Sequence, residues 1–255
     1  MKKFWGFLLV IVLMTSCGEY QSLLKSNDYN LVYKKAIEYY NKGDYQRAMN
    51  LLDGVRSVFV GQAKAQNIAY YRAFCSYNMK DYQIASDLFK QFIQTYPESS
   101  FAEECLYMMG FCDYKASPKP RLDQQVTEKA IREFQLYLSR YPYSMRKDKV
   151  NTYMDEMRDK LSYKAYLSAK NYYLREHYKA AVISLQNCLK DYPGSKYREE
   201  IMYMLFVSKY QMAVNSVEDK KVERYNNARE EYYYFADEYP NSRYAADVKK
   251  MYEDI

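Results

Sequence analysis

Glycine is scarce in this chain, with 7 residues in 255, and proline is scarcer, with 6. Sustained apolar/polar alternation is also rare, and so is the Gly/Pro punctuation that a strand-rich fold needs between its hairpins. These shortages argue against a β-rich fold and leave helices joined by short turns, so an almost all-α chain is expected. Histidine occurs once, at His177, and none of the five cysteines forms a C-x-x-C pair. Zinc held by a His/Cys cluster is therefore not expected. No glycine-rich phosphate loop occurs and the carboxylates are scattered at helix-surface spacing, so neither catalysis nor a bound cofactor is expected. His177 follows Glu176 on a polar helix end and reads as a surface or turn residue. The longest apolar run, Phe4 to Met14, has eleven residues, where a bilayer crossing needs about 20.

What the chain does have is apolar and aromatic: 49% of it is hydrophobic, and 33 residues are tyrosine. Its first 17 residues carry Lys2 and Lys3, then the apolar run, then Thr15-Ser16 directly before Cys17. This order reads as a secretory signal, and the small pair before the cysteine resembles a bacterial lipobox. Cys17 is accordingly expected to become a lipidated N-terminus, anchored through several acyl chains. Residues 18–28 would then be a short tether. Loss of Lys2 and Lys3 leaves 36 basic against 32 acidic residues, interspersed as on a solvated helix face. Nucleic acid is not an expected partner, because the chain has no motif for it. Cys75, Cys105, Cys112 and Cys188 lie within apolar helical patterns, which favours buried free thiols over bridges, although an exported location permits disulfides.

Tyr70 to Pro97 contains one whole structural unit. Ala73 and Ala85 are small, Tyr82, Phe89 and Phe92 are large, and Asn78-Met79-Lys80-Asp81 breaks the pattern between two helices. Pro97 ends the second helix. Two helices this short cannot bury their apolar faces alone and need neighbours stacked beside them. The second-helix signature recurs as Tyr45/Ala48, Tyr82/Ala85, Tyr178/Ala181 and Tyr225/Ala228, with Thr127/Ala130 as a variant. Four units end in Tyr-Pro-x-Ser, at Tyr96, Tyr141, Tyr192 and Tyr239. Each serine can cap the following helix, and Ser100 with Glu103 completes a strict capping box. The pattern looks like the tetratricopeptide repeat. The resemblance implies a right-handed superhelical solenoid of five helix-turn-helix repeats, over about 29–61, 66–99, 103–144, 145–195 and 199–242, with a further C-terminal helix. Three units are longer than the 34 residues of the common repeat. The extra length is assigned to a basic loop, Ser117 to Arg121, to a lengthened helix from Met145 to Leu161, and to a widened charged turn from Asn215 to Lys221.

The five first helices share a pair of tyrosines seven residues apart: Tyr33/Tyr40, Tyr70/Tyr77, Tyr107/Tyr114, Tyr166/Tyr173 and Tyr203/Tyr210. Seven residues is two helical turns, so each pair occupies one face. In the tetratricopeptide family the first helices line the concave groove. Phe74, Asn78 and Phe111 join the ladder in units two and three, and Lys170 in unit four. These residues are the candidate peptide or partner groove, since tyrosine offers apolar area and a hydroxyl at low entropic cost. Packing between units is the competing use of the same rings. The register of the fifth unit rests on Phe206 or Val207, where the other copies have a small residue.

A lipobox cysteine, a short tether and five repeats filling the rest of the chain resemble the BamD-like outer membrane protein assembly factor lipoproteins. The opening Tyr20-Gln21-Ser22-Leu23-Leu24-Lys25-Ser26-Asn27-Asp28-Tyr29, followed by Ala36-x-x-Tyr39-Tyr40-Asn41-Lys42-Gly43-Asp44-Tyr45, looks like the Bacteroidetes form. The resemblance implies a non-enzymatic scaffold of the β-barrel assembly complex, lipid-anchored in the outer membrane and facing the periplasm. It implies two partners: unfolded outer-membrane proteins on the N-terminal repeats, and the barrel-forming subunit, through its periplasmic domains, on the C-terminal repeats. The alternatives are another repeat lipoprotein serving as an adaptor in cell-wall synthesis or division, or a SusD-like glycan-binding lipoprotein.

Overall fold

The protein is described from a computed structural model for residues 18–255. The signal segment, the lipobox and Cys17 lie outside the described residues. Every regular element among the described residues is a helix, as the scarcity of glycine and of alternation predicts. In order these are α1 Tyr29–Asn41, α2 Tyr45–Val55, α3 Ala63–Asn78, α4 Tyr82–Thr95, α5 Ala102–Ala116, α6 Gln125–Arg140, α7 Lys147–Leu174, α8 Tyr178–Asp191, α9 Arg198–Val214, α10 Glu218–Glu238 and α11 Ala245–Glu253. Successive helices form hairpins. One compact unit comprises residues 18–118 and 124–154, and a second comprises Lys119–Asp123 and Asp155–Ile255.

The small residues stand where the helices of a hairpin meet. Ala36 and Ala48, Ala73 and Ala85, and Ala169 and Ala181 are all fully buried. In the third hairpin the small position is Gly110, and there a Cβ would come 2.8 Å from the ring of buried Phe134. Glycine is thus the residue that lets α5 accept a phenylalanine on α6. Phe206 occupies the matching place in the fifth hairpin and is itself fully buried, against Tyr232. A large residue on the first helix replaces the small one without losing the tyrosine register.

The ends of the helices follow from local chemistry. Asp28 and Asp44 accept from the backbone N–H of Leu31 (2.9 Å) and Arg47 (3.2 Å), capping α1 and α2. The tight turn inside the first hairpin uses Gly43 at φ 80°, whereas the matching turns use Lys80 at φ 67° and Glu176 at φ 59°. A left-handed backbone costs a residue with a Cβ about 1 kcal/mol or more. At the other end of the hairpins Tyr96, Tyr141, Tyr192 and Tyr239 terminate their helices with φ between −127° and −133° and ψ between 59° and 65°. The proline that follows forbids the helical conformation at each of them. The serine two residues after that proline accepts from the backbone N–H two positions on, at 3.0–3.3 Å. It closes a turn just ahead of the helix, and the N-caps of α5, α9 and α11 (Phe101, Tyr197, Tyr244) give no side-chain bond. The capping box expected at Ser100 and Glu103 does not form, because α5 starts at Ala102 and the Glu103 carboxylate is engaged elsewhere, as described below.

Three other expectations change. Residues 18–24 are helical and docked, not a free tether, because Tyr20 and Leu23 fall three apart on one apolar face and are both buried. The Tyr20 hydroxyl accepts from Asn50 (3.0 Å), and Glu19 pairs with Lys35 (2.9 Å). The fifth-unit insertion does not widen the turn: α10 already begins at Glu218, whose carboxylate and that of Asp219 suit a helix N-terminus. The extra residues lengthen the helix. Finally, some charges are not on a solvated face, since Arg72, Asp113, Glu133 and Glu231 are buried. The Met145–Leu161 pattern does lengthen its helix, as α7 runs unbroken for 28 residues.

Gly110→Ala is expected to lower stability by about 1–3 kcal/mol through overpacking against Phe134. Lys80→Gly is expected to raise it by up to about 1 kcal/mol by relieving the left-handed strain. Denaturant melts of the two variants check both signs.

Candidate functional site

The first tyrosine of each ladder pair is occupied by the neighbouring hairpin. In the first unit the Tyr70 hydroxyl donates to Glu104 Oε2 at 2.8 Å, and Tyr33 is hydrogen-bonded to Asn67. In the second unit Tyr203 donates to Asp247 Oδ2 at 2.7 Å, and Tyr166 is hydrogen-bonded to Glu200. Asn67, Glu104 and Glu200 each stand three residues before the ladder tyrosine of their own first helix, and Asp247 holds the same place after Ser242. Burial and the acidic acceptor together push the Tyr70 and Tyr203 hydroxyls far above their usual range. Tyr107 departs from this pattern, because Lys149 occupies the acceptor place. Its ring lies instead under the Arg146 guanidinium, 4.9 Å from the centroid.

A second row of polar contacts runs one residue away. Glu103 Oε1 accepts from Tyr137 (2.9 Å) and Ser144 (2.7 Å), and Glu199 accepts from Ser242 (2.6 Å). In the fourth hairpin Ser162 takes this place and donates to Ser195 at 2.7 Å. At three of the four connections the Tyr-Pro-x-Ser serine thus ties the end of one hairpin to the first helix of the same hairpin while it shapes the turn.

The second tyrosines make mostly ring contacts. Tyr77 lies among Phe74, Tyr82 and Phe111, and Tyr114 stacks on Tyr153 with centroids 4.4 Å apart. Tyr40 packs edge-on to Tyr71 and accepts from Asn78 at 3.4 Å, and burial pushes its hydroxyl up to about 12. Tyr173 is hydrogen-bonded to Tyr203, and Tyr210 meets Phe206. Phe74, Tyr77, Asn78, Phe111 and Tyr114 are all partly exposed. They form a continuous aromatic surface across α3 and α5. In the second unit Lys170 is no free cation: it donates to Tyr166 (2.8 Å) and Glu200 (2.7 Å), which raise its pKa well above the usual lysine range. Beside it opens a cleft of about 740 Å³ lined by Tyr163, Tyr166 and Tyr197, by Leu167 and Leu174, and by Arg121, Lys164 and Lys170.

Three features carried no recognisable sequence signal. A buried polar cluster joins α4, α5 and α6: Ser86 donates to Asp113 (3.0 Å), and Lys129 pairs with Asp113 (2.9 Å) and lies 3.7 Å from Glu133. Burial, together with the adjacent Asp113 carboxylate, raises Glu133 to about 8. Arg72, also buried, pairs with Asp53 at 2.6 Å. The acids before the ladder tyrosines complete the set, and a register fixed on those tyrosines would have found them. The four cysteines Cys75, Cys105, Cys112 and Cys188 are free and buried, and burial raises Cys75 and Cys105 to about 12 and Cys188 to about 11. Such thiols are poor nucleophiles. His177 is the exposed N-cap residue of α8. Among the described residues no group of His, Cys, Asp and Glu could hold a metal, and no helix is long and apolar enough to cross a membrane.

The folded-state pKa of Glu133 lies above that of a free carboxyl, so its proton stabilises the folded form at low pH. That contribution is lost as pH rises from about 4.5 through about 8. Glu133→Gln, which keeps the neutral shape, is expected to become increasingly more stable than the parent protein across this interval. Melting curves of the two proteins from pH 5 to 9 check it.

The YfiO family model, described as "Outer membrane lipoprotein", matches residues 25–200 and again 165–255. No curated protein matches the chain. Among solved structures, a TPR repeats protein from Bacteroides fragilis NCTC 9343 is 13% identical, covering 90% of this chain and 98% of that one, with a TM-score of 0.43. The yeast Sti1 TPR2AB domain, solved as a complex with pHSP90, is 14% identical, covering 88% and 97%, with a TM-score of 0.40.

Proposed function

The chain belongs to the YfiO family of outer membrane lipoproteins, and from that premise we propose that it is a non-enzymatic scaffold in the assembly of β-barrel proteins into the outer membrane. It is anchored through lipid on Cys17 and faces the periplasm, in a system of the Bacteroidetes type. Its ligands are unfolded outer-membrane protein segments, and its docking partner is the barrel-forming subunit with periplasmic domains, held by the C-terminal repeats.

The observation that carries this reading is the partly exposed aromatic surface on α3 and α5, formed by Phe74, Tyr77, Phe111 and Tyr114 with Asn78. A barrel strand in transit is extended and alternates apolar with polar side chains. Rigid aromatic faces bury its apolar residues at low entropic cost, and tyrosine hydroxyls and Asn78 meet its backbone groups. Tyr40 adjoins this surface through Asn78, and in the second unit, taken by itself, Tyr173 and Tyr210 are the matching candidates while Lys170 with Tyr166 borders the cleft. Tyr33, Tyr70 and Tyr107 in the first unit, and Tyr203 in the second, are instead engaged by neighbouring side chains through their hydroxyls or rings.

Depletion of the protein in its host is expected to lower folded barrel proteins in the outer membrane, and a pull-down from solubilised envelope to contain the barrel subunit. Normal barrel levels together with absence of that subunit would overturn the proposal. The paired variant Tyr77→Ala/Phe111→Ala is expected to weaken binding of a synthetic barrel-strand peptide about tenfold or more, the loss of roughly 1.4 kcal/mol. Fluorescence titration at a temperature where the variant keeps full helicity by circular dichroism checks it.

A further inference from the structure

Among the four Tyr-Pro-x-Ser connections, the second carries apolar side chains where the others carry polar or small ones. Tyr143 and Met145 flank its serine, at the places held by Glu98 and Ser100, Gly194 and Lys196, and Asn241 and Arg243 in the other three. Tyr143 is 98% and Met145 99% exposed, more than any other large apolar side chain among the described residues. Neither helps to hold the fold, so folding alone does not account for them.

The loop presenting them is rigid. Ser144 lies between the two and is tied at 2.6–2.7 Å to Tyr137 and Glu103, while its backbone carbonyl and hydroxyl receive the N–H groups of Lys147 (3.1 Å) and Arg146 (3.2 Å). Two large side chains are thus displayed from a fixed turn, so little ordering entropy remains to be lost on docking. Beside them Lys147 is exposed, and Arg140, also exposed, lies over the Tyr141 ring and donates to the Pro97 carbonyl (3.0 Å), with Asp148 as the one exposed acid from Arg140 to Lys149. Tyrosine, methionine and arginine are enriched at the centre of protein interfaces, and lysines suit a charged rim that steers association.

The position of the loop separates a protein partner from a bilayer. The N-terminal segment enters this unit beside the Lys42–Asp44 turn, where Tyr20 lies against Tyr39 (5.9 Å) and Arg47 (5.2 Å). Tyr143 and Met145 lie in a connection between hairpins, at the opposite end of the helices. A membrane reached through the N-terminus is therefore not at this end. We infer that the Tyr143–Met145 loop is a docking knob for a second protein that offers an apolar pocket rimmed by Asp and Glu side chains. This surface is separate from the first-helix groove and does not depend on the reading of that groove.

The test uses the full-length protein in its host, with a benzophenone amino acid placed at residue 143 or 145, and at 98 or 100 as matched controls. Light is expected to give one discrete protein adduct from 143 and 145, at least about tenfold above that from 98 and 100. Lys147→Glu is expected to lower its yield by a similar factor. The crosslinked partner peptide, sequenced by mass spectrometry, is expected to carry Asp or Glu beside apolar residues. Equal adducts at all four positions, adducts to lipid only, a peptide from this same chain, or a partner peptide without acidic residues would each overturn the inference. Because both side chains are exposed, unchanged melting temperatures identify any loss as one of docking.

Discussion

The stack depends on a side-chain contact in which a ladder tyrosine reaches a polar residue in the first two turns of the helix that opens the next hairpin or, for Tyr203, of the C-terminal helix. Tyr33 with Asn67 and Tyr70 with Glu104 make it in one unit, and Tyr166 with Glu200 and Tyr203 with Asp247 in the other. Helical hairpins share broad apolar faces that could slide on one another, since hydrophobic burial is non-directional. A hydroxyl paired with a carboxylate favours one register, because a slid register forfeits a directional hydrogen bond that contributes about 1 kcal/mol. Where the acid is replaced by Lys149, the chain keeps Tyr107 and covers it with Arg146, so the ring stays in place with a different partner.

This contact divides the ladder in two. The hydroxyls of several first tyrosines are committed to the neighbouring hairpin, whereas the second tyrosines meet mainly other rings and remain partly exposed. Packing between hairpins thus claims the first tyrosines, while the second ones, two turns along the same helix face, keep exposed ring area. Lys170 is bound to Glu200 and Tyr166, and burial raises the thiols well above their usual range.

The helical hairpins were legible in the sequence because their punctuation is local. Small residues at Ala36, Ala73 and Ala169, prolines at Pro97, Pro142, Pro193 and Pro240, and aspartates ahead of α1 and α2 each act within a turn or two. The long α7 was legible for the same reason. The misread features depend on partners far along the chain. Glu103 looks like a capping-box residue until Ser144, 41 positions on, claims it. Glu133 and Asp113 look like surface charges until three helices close around them with Lys129. Residues 18–28 look like a tether because helix over residues 18–24 has no visible reason to form until the first hairpin supplies a face for Tyr20 and Leu23. Within the candidate site, the seven-residue spacing showed which tyrosines share a face, but not which of them the next hairpin would occupy.

The most direct measurement of this account is a double-mutant cycle on Tyr70→Phe and Glu104→Gln, read as stability from denaturant melts. A contact that fixes the stacking register predicts a coupling energy of about 1 kcal/mol or more, with the double variant less destabilised than the sum of the single ones. Additive losses, with no coupling between the two positions, would contradict it.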